Sequence, residues 1–197
     1  MGITLYQKEI EALFQKSPVV DFRSLERLVH AQNPNVKQYV KLLVHNLLLQ
    51  GKIKRLTKGY YSRTDDPSLL VFCMKPAYLG LQDALSVHNL WEQETIPIII
   101  TTQKVRQGIR SIFGTNVLIR RIDKNYSFGI EYIQQEDFYF PYSDIEKTLI
   151  DMVYFKQYLR SDVLKKMRKR VDTKKLKLYL SHYPKKFQQK VIGILEK

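Results

Sequence analysis

Two proline stops and a glycine divide the first half of this chain into segments that can only be short elements: Ser17-Pro18, Asn33-Pro34 and Gly51. Ile3, Tyr6, Ile10, Leu13 and Phe14 recur at helical spacing, so a helix is expected over 3–16. Ser17-Pro18 ends it, because a residue before proline is pushed out of the α region. Asp21 suits the N-cap of a second helix, with Phe22, Leu25, Leu28 and Val29 on one face. A third is expected with Asn33 as N-cap and Pro34 at the first helical position, where a missing N–H costs nothing. Its buried stripe is Val36, Val40, Leu43, Val44, Leu47 and Leu48, and Gly51 closes it. KIKRLTKGYYSR then reads as two short strands about Thr57-Lys58-Gly59.

Three short helices followed by a hairpin are the parts of a winged helix-turn-helix, expected over 1–63, with the third helix in a major groove and the hairpin against the backbone. The charge agrees. Between Ala31 and Arg63 lie seven basic residues and no acid. The outer face of the third helix carries Asn35, Gln38, Leu42 and His45, flanked by Lys41. Asn and Gln can bond base edges, adenine above all, and lysines suit phosphates. The candidate DNA contacts are therefore Asn35, Lys37, Gln38, Lys41, His45, Lys54, Arg55 and Lys58. A basic face equally suits solvation or a protein partner. Leu42 and Leu49, apolar near the outer face, mark a protein contact or a hinge.

Asp65-Asp66-Pro67 breaks the pattern, so a second domain is expected over 64–197, α+β in class, with a small antiparallel sheet and helices. Residues 67–73 and 77–91 look helical, and Ile96 to Thr102 reads as a strand. Asn116 to Ile122 and Ser127 to Ile133 look like paired antiparallel strands turning at Asp123-Lys124-Asn125; Phe138 to Tyr142 adds another. Ser143 with Glu146 matches a capping box ahead of Ile145, Leu149, Met152 and Val153. The last 38 residues read as basic helices. Net charge is +14 overall, divided as +7 over 1–63, −3 over 64–159 and +10 over 160–197. Two basic lobes around an acidic middle suggest two polyanion-facing surfaces. In the tail, Arg168, Lys169, Lys174 and Lys177 are the candidate phosphate contacts.

The order of these segments resembles the AbiEi-like antitoxin family over about the whole chain. GKIKRLTKGYYSR is similar to the Gly-Tyr wing that closes that family's N-terminal domain, and DALSVHNLW to its small-residue helix followed by His. PIIITTQKVRQGIR resembles its strand and basic turn. PYSDIEKTLIDMV resembles the start of its Glu-Lys/Arg-x-Leu-x-Asp helix, here Glu146, Lys147, Leu149 and Asp151. Asn89 stands where the family often has glycine, and the basic tail is heavier. The resemblance implies a transcriptional autorepressor and antitoxin of a type IV toxin–antitoxin or phage-defence operon. Its N-terminal domain would bind inverted repeats in its own promoter. Its C-terminal domain would neutralise a nucleotidyltransferase-like toxin without a stable complex.

Other classes find little support. Nucleotide-loop, dinucleotide-binding and H-E-x-x-H motifs are absent, and no cofactor or metal is expected. With Cys73 the sole cysteine, internal disulfides and cysteine-based zinc sites are excluded. His30, His45, His88 and His182 are scattered; His88, on an apolar face, is expected as a packed core residue. The N-terminus lacks the basic start and apolar run of a signal peptide, no apolar run could span a bilayer, and a cytoplasmic, non-enzymatic protein is expected. Two alternatives stay open: a metal-dependent nuclease, if Glu146 and Asp151 are exposed and converge with Asp83, and an RNA binder using the tail.

Overall fold

The computed structural model describes residues 6–29 and 35–196. The chain divides into two compact units, one of Met1–Cys73 with Ile112–Gly114, the other of Met74–Ser111 with Thr115–Lys197.

In the first unit, α1 (Gln7–Lys16), β1 (Val20–Asp21), α2 (Phe22–Val29) and α3 (Val36–Leu49) precede the hairpin β2 (Lys54–Thr57) and β3 (Tyr60–Ser62). Ser17 N–H donates to the Leu13 carbonyl at 3.1 Å as α1 stops before Pro18. Asp21 caps α2 through Oδ1, which accepts from Ser24 N at 2.6 Å. The N-cap of α3 is Asn35, whose backbone oxygen accepts from Gln38 and Tyr39; the expected Asn33 cap and Pro34 lie outside the described residues. Gly51, at φ +66°, terminates α3. Its N–H donates to Leu48 and that of Lys52 to Leu47, the two reversed bonds of a Schellman motif. The strands form an antiparallel sheet in the order β1-β3-β2, with Gly59 at φ +81° in the turn. Ile10, Phe14, Val20, Leu25, Val29, Val40, Leu43, Val44, Leu47, Ile53 and Tyr61 make its core. Burying each large aliphatic contributes ~1.5–3 kcal/mol, and this sum, more than helix propensity, holds such short helices. Pro67–Cys73 is a 3-10 helix rather than an α-helix. With Leu69, Leu70 and Val71 buried, it belongs to this unit, so the unit extends beyond the expected end at residue 63.

The second unit is built on a six-stranded mixed sheet, not a small antiparallel one. Its strands are β4 (Ala77–Leu79), β5 (Ile98–Thr101), β6 (Gly108–Ile112, its last residue counted with the first unit), β7 (Thr115–Arg121), β8 (Ile130–Gln135) and β9 (Phe138–Ser143), in the order β6-β7-β5-β4-β9-β8. β4 runs parallel to β9 and antiparallel to β5, β5 runs parallel to β7, and β8 pairs antiparallel with β9. Two expectations fail here. Residues 77–91 are not one helix: 77–79 form a central strand, and α4 spans only Gln82–Val87. A strand buried on both faces shows no alternation, so its apolar run passes for helix. The segments 116–122 and 127–133 are not partners either, because β7 and β8 are separated by β5, β4 and β9. Asp123 instead caps a 3-10 turn, Lys124–Tyr126.

Behind the sheet come α5 (Ile145–Tyr154), α6 (Ser161–Arg168), α7 (Thr173–Leu180) and α8 (Lys185–Glu196). One core joins Tyr78, Ile98, Ile100 and Ile122 to Leu149, Met152, Val153, Val163, Met167, Leu176, Leu180 and Val191. Among the described residues, no helix is long and apolar enough to cross a membrane.

Candidate nucleic-acid interface

The buried stripe Val40, Leu43, Val44 and Leu47 turns the opposite side of α3 outward. That side carries Asn35, Gln38, Lys41, Leu42 and His45, all exposed, with Lys37 also exposed in the first turn. Gln38, Lys41, Leu42, His45 and Leu49 follow helical spacing, so amide, cation, imidazole and two leucines share one stripe. Leu42 and Leu49 are 59% and 73% exposed. Lys37 opens onto a recess between the start of α2 and the β2–β3 turn that Asp21, Arg23, Glu26 and Tyr60 also line.

Arg55 and Lys58 of the hairpin are exposed. Lys54 is not free: its Nζ meets Asp65 at 2.6 Å, and that bond holds the Asp65 carboxyl below the usual range. Of the two hairpin tyrosines, Tyr61 is buried in the core and Tyr60 half-buried. Arg63 stacks over Phe14 at 5.7 Å.

In the tail, Lys169, Lys174 and Lys177 are exposed, and Arg168 donates to the Ile194 carbonyl at 3.1 Å, tying the end of α6 to α8. Arg168 and Lys177 line one recess with Thr173, Leu176, Ile192 and Glu196. Lys175 behaves differently from its neighbours. Its Nζ lies 3.0 Å from Asp144 and 3.0 Å from Glu146. Burial works against its charge, but the two carboxylates outweigh it and hold the ammonium above the ordinary lysine range.

That contact belongs to a buried polar centre around α5. Lys147 and Asp151, one turn apart, are both fully buried and joined ammonium to carboxylate. Tyr78 OH donates to Asp151 Oδ2 at 2.7 Å, and Lys147 Nζ lies 5.4 Å from the ring centres of Tyr78 and Phe128. Burial pulls Lys147 below and Asp151 above their usual values, each opposed by the other's charge. Burial, then Asp151, raises Tyr78. The expected capping box does not form: the N-cap falls one residue later, and Glu146 bonds elsewhere. Asp144 is the N-cap, with Oδ1 accepting from Lys147 N at 2.8 Å and Oδ2 from Tyr179 OH at 2.9 Å. Ser143 instead meets Thr148 at 2.7 Å between the hydroxyls, and Glu146 accepts from Asp172 N at 2.8 Å. Tertiary partners reassign both side chains, which local spacing could not reveal.

His88 is buried, with Nε2 2.8 Å from the Ser143 carbonyl and 3.5 Å from Glu131. The nuclease alternative asks for exposed, convergent carboxylates. Glu146 and Asp151 are buried and bonded as described, and Asp83 accepts from Ile98 N at 3.1 Å. Among the described residues, no group of three His, Cys, Asp or Glu is placed to hold a metal ion. The sequence motif Glu146-Lys147-x-Leu149-x-Asp151 did contain the signal for the buried pair, since Lys147 and Asp151 stand at i and i+4.

No protein-family profile matches the chain, and no curated protein does. A solved structure similar to it is that of the RV2827C protein from Mycobacterium tuberculosis, with a TM-score of 0.63 at 15% identity. The match covers 98% of this chain and 76% of that one, and it describes the fold alone.

Proposed function

We propose that the first unit is a winged helix-turn-helix and that the chain is a sequence-specific, double-stranded DNA-binding autorepressor. The observation carrying this reading is the outer stripe of α3, where exposed Gln38, Lys41 and His45 sit on a segment without a single acid from Ala31 to Arg63. Phosphates would meet Lys37, Lys41, Arg55 and Lys58, while Asn35 and Gln38 reach base edges. The element order, with β1 completing a three-stranded sheet beside the hairpin, supports the same docking. The resemblance to AbiEi-like proteins extends the proposal to an antitoxin of a type IV or phage-defence operon, acting against a nucleotidyltransferase-like toxin. The DNA partner would then be inverted repeats in its own promoter.

Gel-shift titration of the full chain on its own promoter duplex and on a scrambled duplex tests the DNA reading. Gln38→Ala should cost ~1–3 kcal/mol on the promoter and little on the scrambled duplex. Equal losses on both would mean that Gln38 reads no base. Equal affinity of the unaltered chain for both would remove sequence-specific repression. Co-expression with a nucleotidyltransferase encoded beside this chain tests the antitoxin half, through restored growth.

A further inference from the structure

We propose that the second unit joins further copies of this chain edge to edge, β8 of one protomer adding to β6 of the next. The sheet ends on β6 and β8, and an edge strand presents unpaired N–H and C=O groups as a template for another strand. Asp144 N donates to Gly129 O at 2.9 Å, and the antiparallel ladder alternates from there. Ile130, Tyr132 and Gln134 therefore turn their backbone groups away from β9. This association does not rest on the DNA-binding reading.

The two edges are oppositely charged. From Thr95 to Ile122 there are five basic residues and no acid; from Asn125 to Glu146 there is no Lys or Arg, and of the five acids Asp144 and Glu146 are buried against Lys175, which leaves Glu131, Glu136 and Asp137 for the edge. Lys104, Arg106 and Arg121 are exposed and Arg110, on β6 itself, half-exposed. Among the described residues none of these four pairs with a carboxylate. Arg110 donates to the Arg106 carbonyl at 3.0 Å. On the other edge Glu131, Glu136 and Asp137 are exposed. Each edge also shows apolar surface: Ile109 is 65% exposed on β6, and Tyr132 and Tyr139 are 68% and 59% exposed on the β8–β9 hairpin.

Topology supplies the direction. Following the pairings across the sheet, with Phe113-Gly114 returning β6 against β7, β6 and β8 run oppositely. A second copy can thus extend the sheet antiparallel without being turned over. Charges usually protect an edge from pairing with its own kind. Here β6 on β6 would bring the Arg110 side chains of two copies onto one short ladder, and β8 on β8 would do the same with Glu131, both unfavourable. Only the mixed contact is complementary. It is heterologous, so it builds open chains rather than a closed dimer.

Sedimentation equilibrium of the full chain at low and high salt is the test. At low salt the average mass should rise with concentration past that of a dimer, and high salt should return it to the monomer. Arg110→Glu and Glu131→Lys should each be monomeric alone, and an equimolar mixture should associate again, because each supplies the edge that the other needs. Tyr132→Pro, which removes an outward N–H and no bond to β9, should leave the fold intact and stop growth. A monomer under all conditions, association indifferent to both reversals, or a mixture that stays monomeric would overturn the proposal. The salt dependence of the unaltered chain needs no variant to fold.

Discussion

Removing the Asp151 carboxylate leaves the Lys147 ammonium in a site with no solvent exposure and, among the described residues, no other bonded counter-charge, and it takes the acceptor from Tyr78 OH. Breaking such a buried pair from one side costs ~3–5 kcal/mol, so Asp151→Ala should lower the folded-to-unfolded ratio by roughly two to four powers of ten. The variant should also gain a pH signature. Burial already pulls Lys147 below its ordinary 10.5, and losing Asp151 removes the larger part of the attraction that opposes this, leaving only the smaller pull of Asp144. In the window below 10.5 the unfolded lysine then binds more proton than the folded one, so the variant's stability should climb as pH rises toward that value. The apolar replacement Tyr78→Phe/Lys147→Met/Asp151→Leu leaves neither a buried charge nor an orphaned hydroxyl, and should stand closer to the native protein than Asp151→Ala does. Urea titration followed by Trp91 fluorescence is the assay, since the sole tryptophan packs on this unit's core. A cost for Asp151→Ala below ~1 kcal/mol, the ordinary effect of a point substitution, or a stability flat with pH would refute the reasoning.

Gly129 has φ +65°, and a Cβ there would lie 2.8 Å from both Lys147 Cβ and Tyr179 Cε2, so Gly129→Ala should lower stability by more than ~2 kcal/mol. Gly193, in α8 with open space around it, is the control: Gly193→Ala should raise stability by ~0.5–1 kcal/mol in the same thermal melts. Burial and the bond to Asp144 push Tyr179 up to about 12. Between the ordinary 10.0 and that value the folded chain holds more proton, so this contribution to stability is lost as pH rises through the window. Ultraviolet titration should find this late tyrosine, and Asp144→Asn should bring it back toward 10.0. Reversing Lys174 and Lys177 to Glu should flatten the slope of log affinity against log salt by about 0.9 for each phosphate that is no longer neutralised; an unchanged slope would mean that the tail never reaches DNA.

Local chemistry made much of the first unit legible. Pro18 and Gly51 set helix ends, Asp21 caps α2, and the spacing of Val40, Leu43, Val44 and Leu47 named the buried side of α3 and hence its exposed one. Each signal acts within one or two turns of chain, where backbone sterics and short-range hydrogen bonds decide the outcome. The helical character of 160–197 was readable for the same reason.

What only tertiary structure decided lies mostly in the second unit. Tyr78 enters a central strand because β5 and β9 flank it, although its neighbours read as helix. Partner choice sent β7 to β5 and β8 to β9, since strands declare their pattern but not which edge they join. The acids of α5 were readable as residues of a helix start, yet Asp144 took the cap and Glu146 reached Asp172 and Lys175. Likewise Lys54, one of a basic run, gives its charge to Asp65. Sequence composition determines how many charges and apolar faces a chain must place. Which charges meet each other, and which stay outward for a partner, depends on long-range packing that brings together residues tens of positions apart.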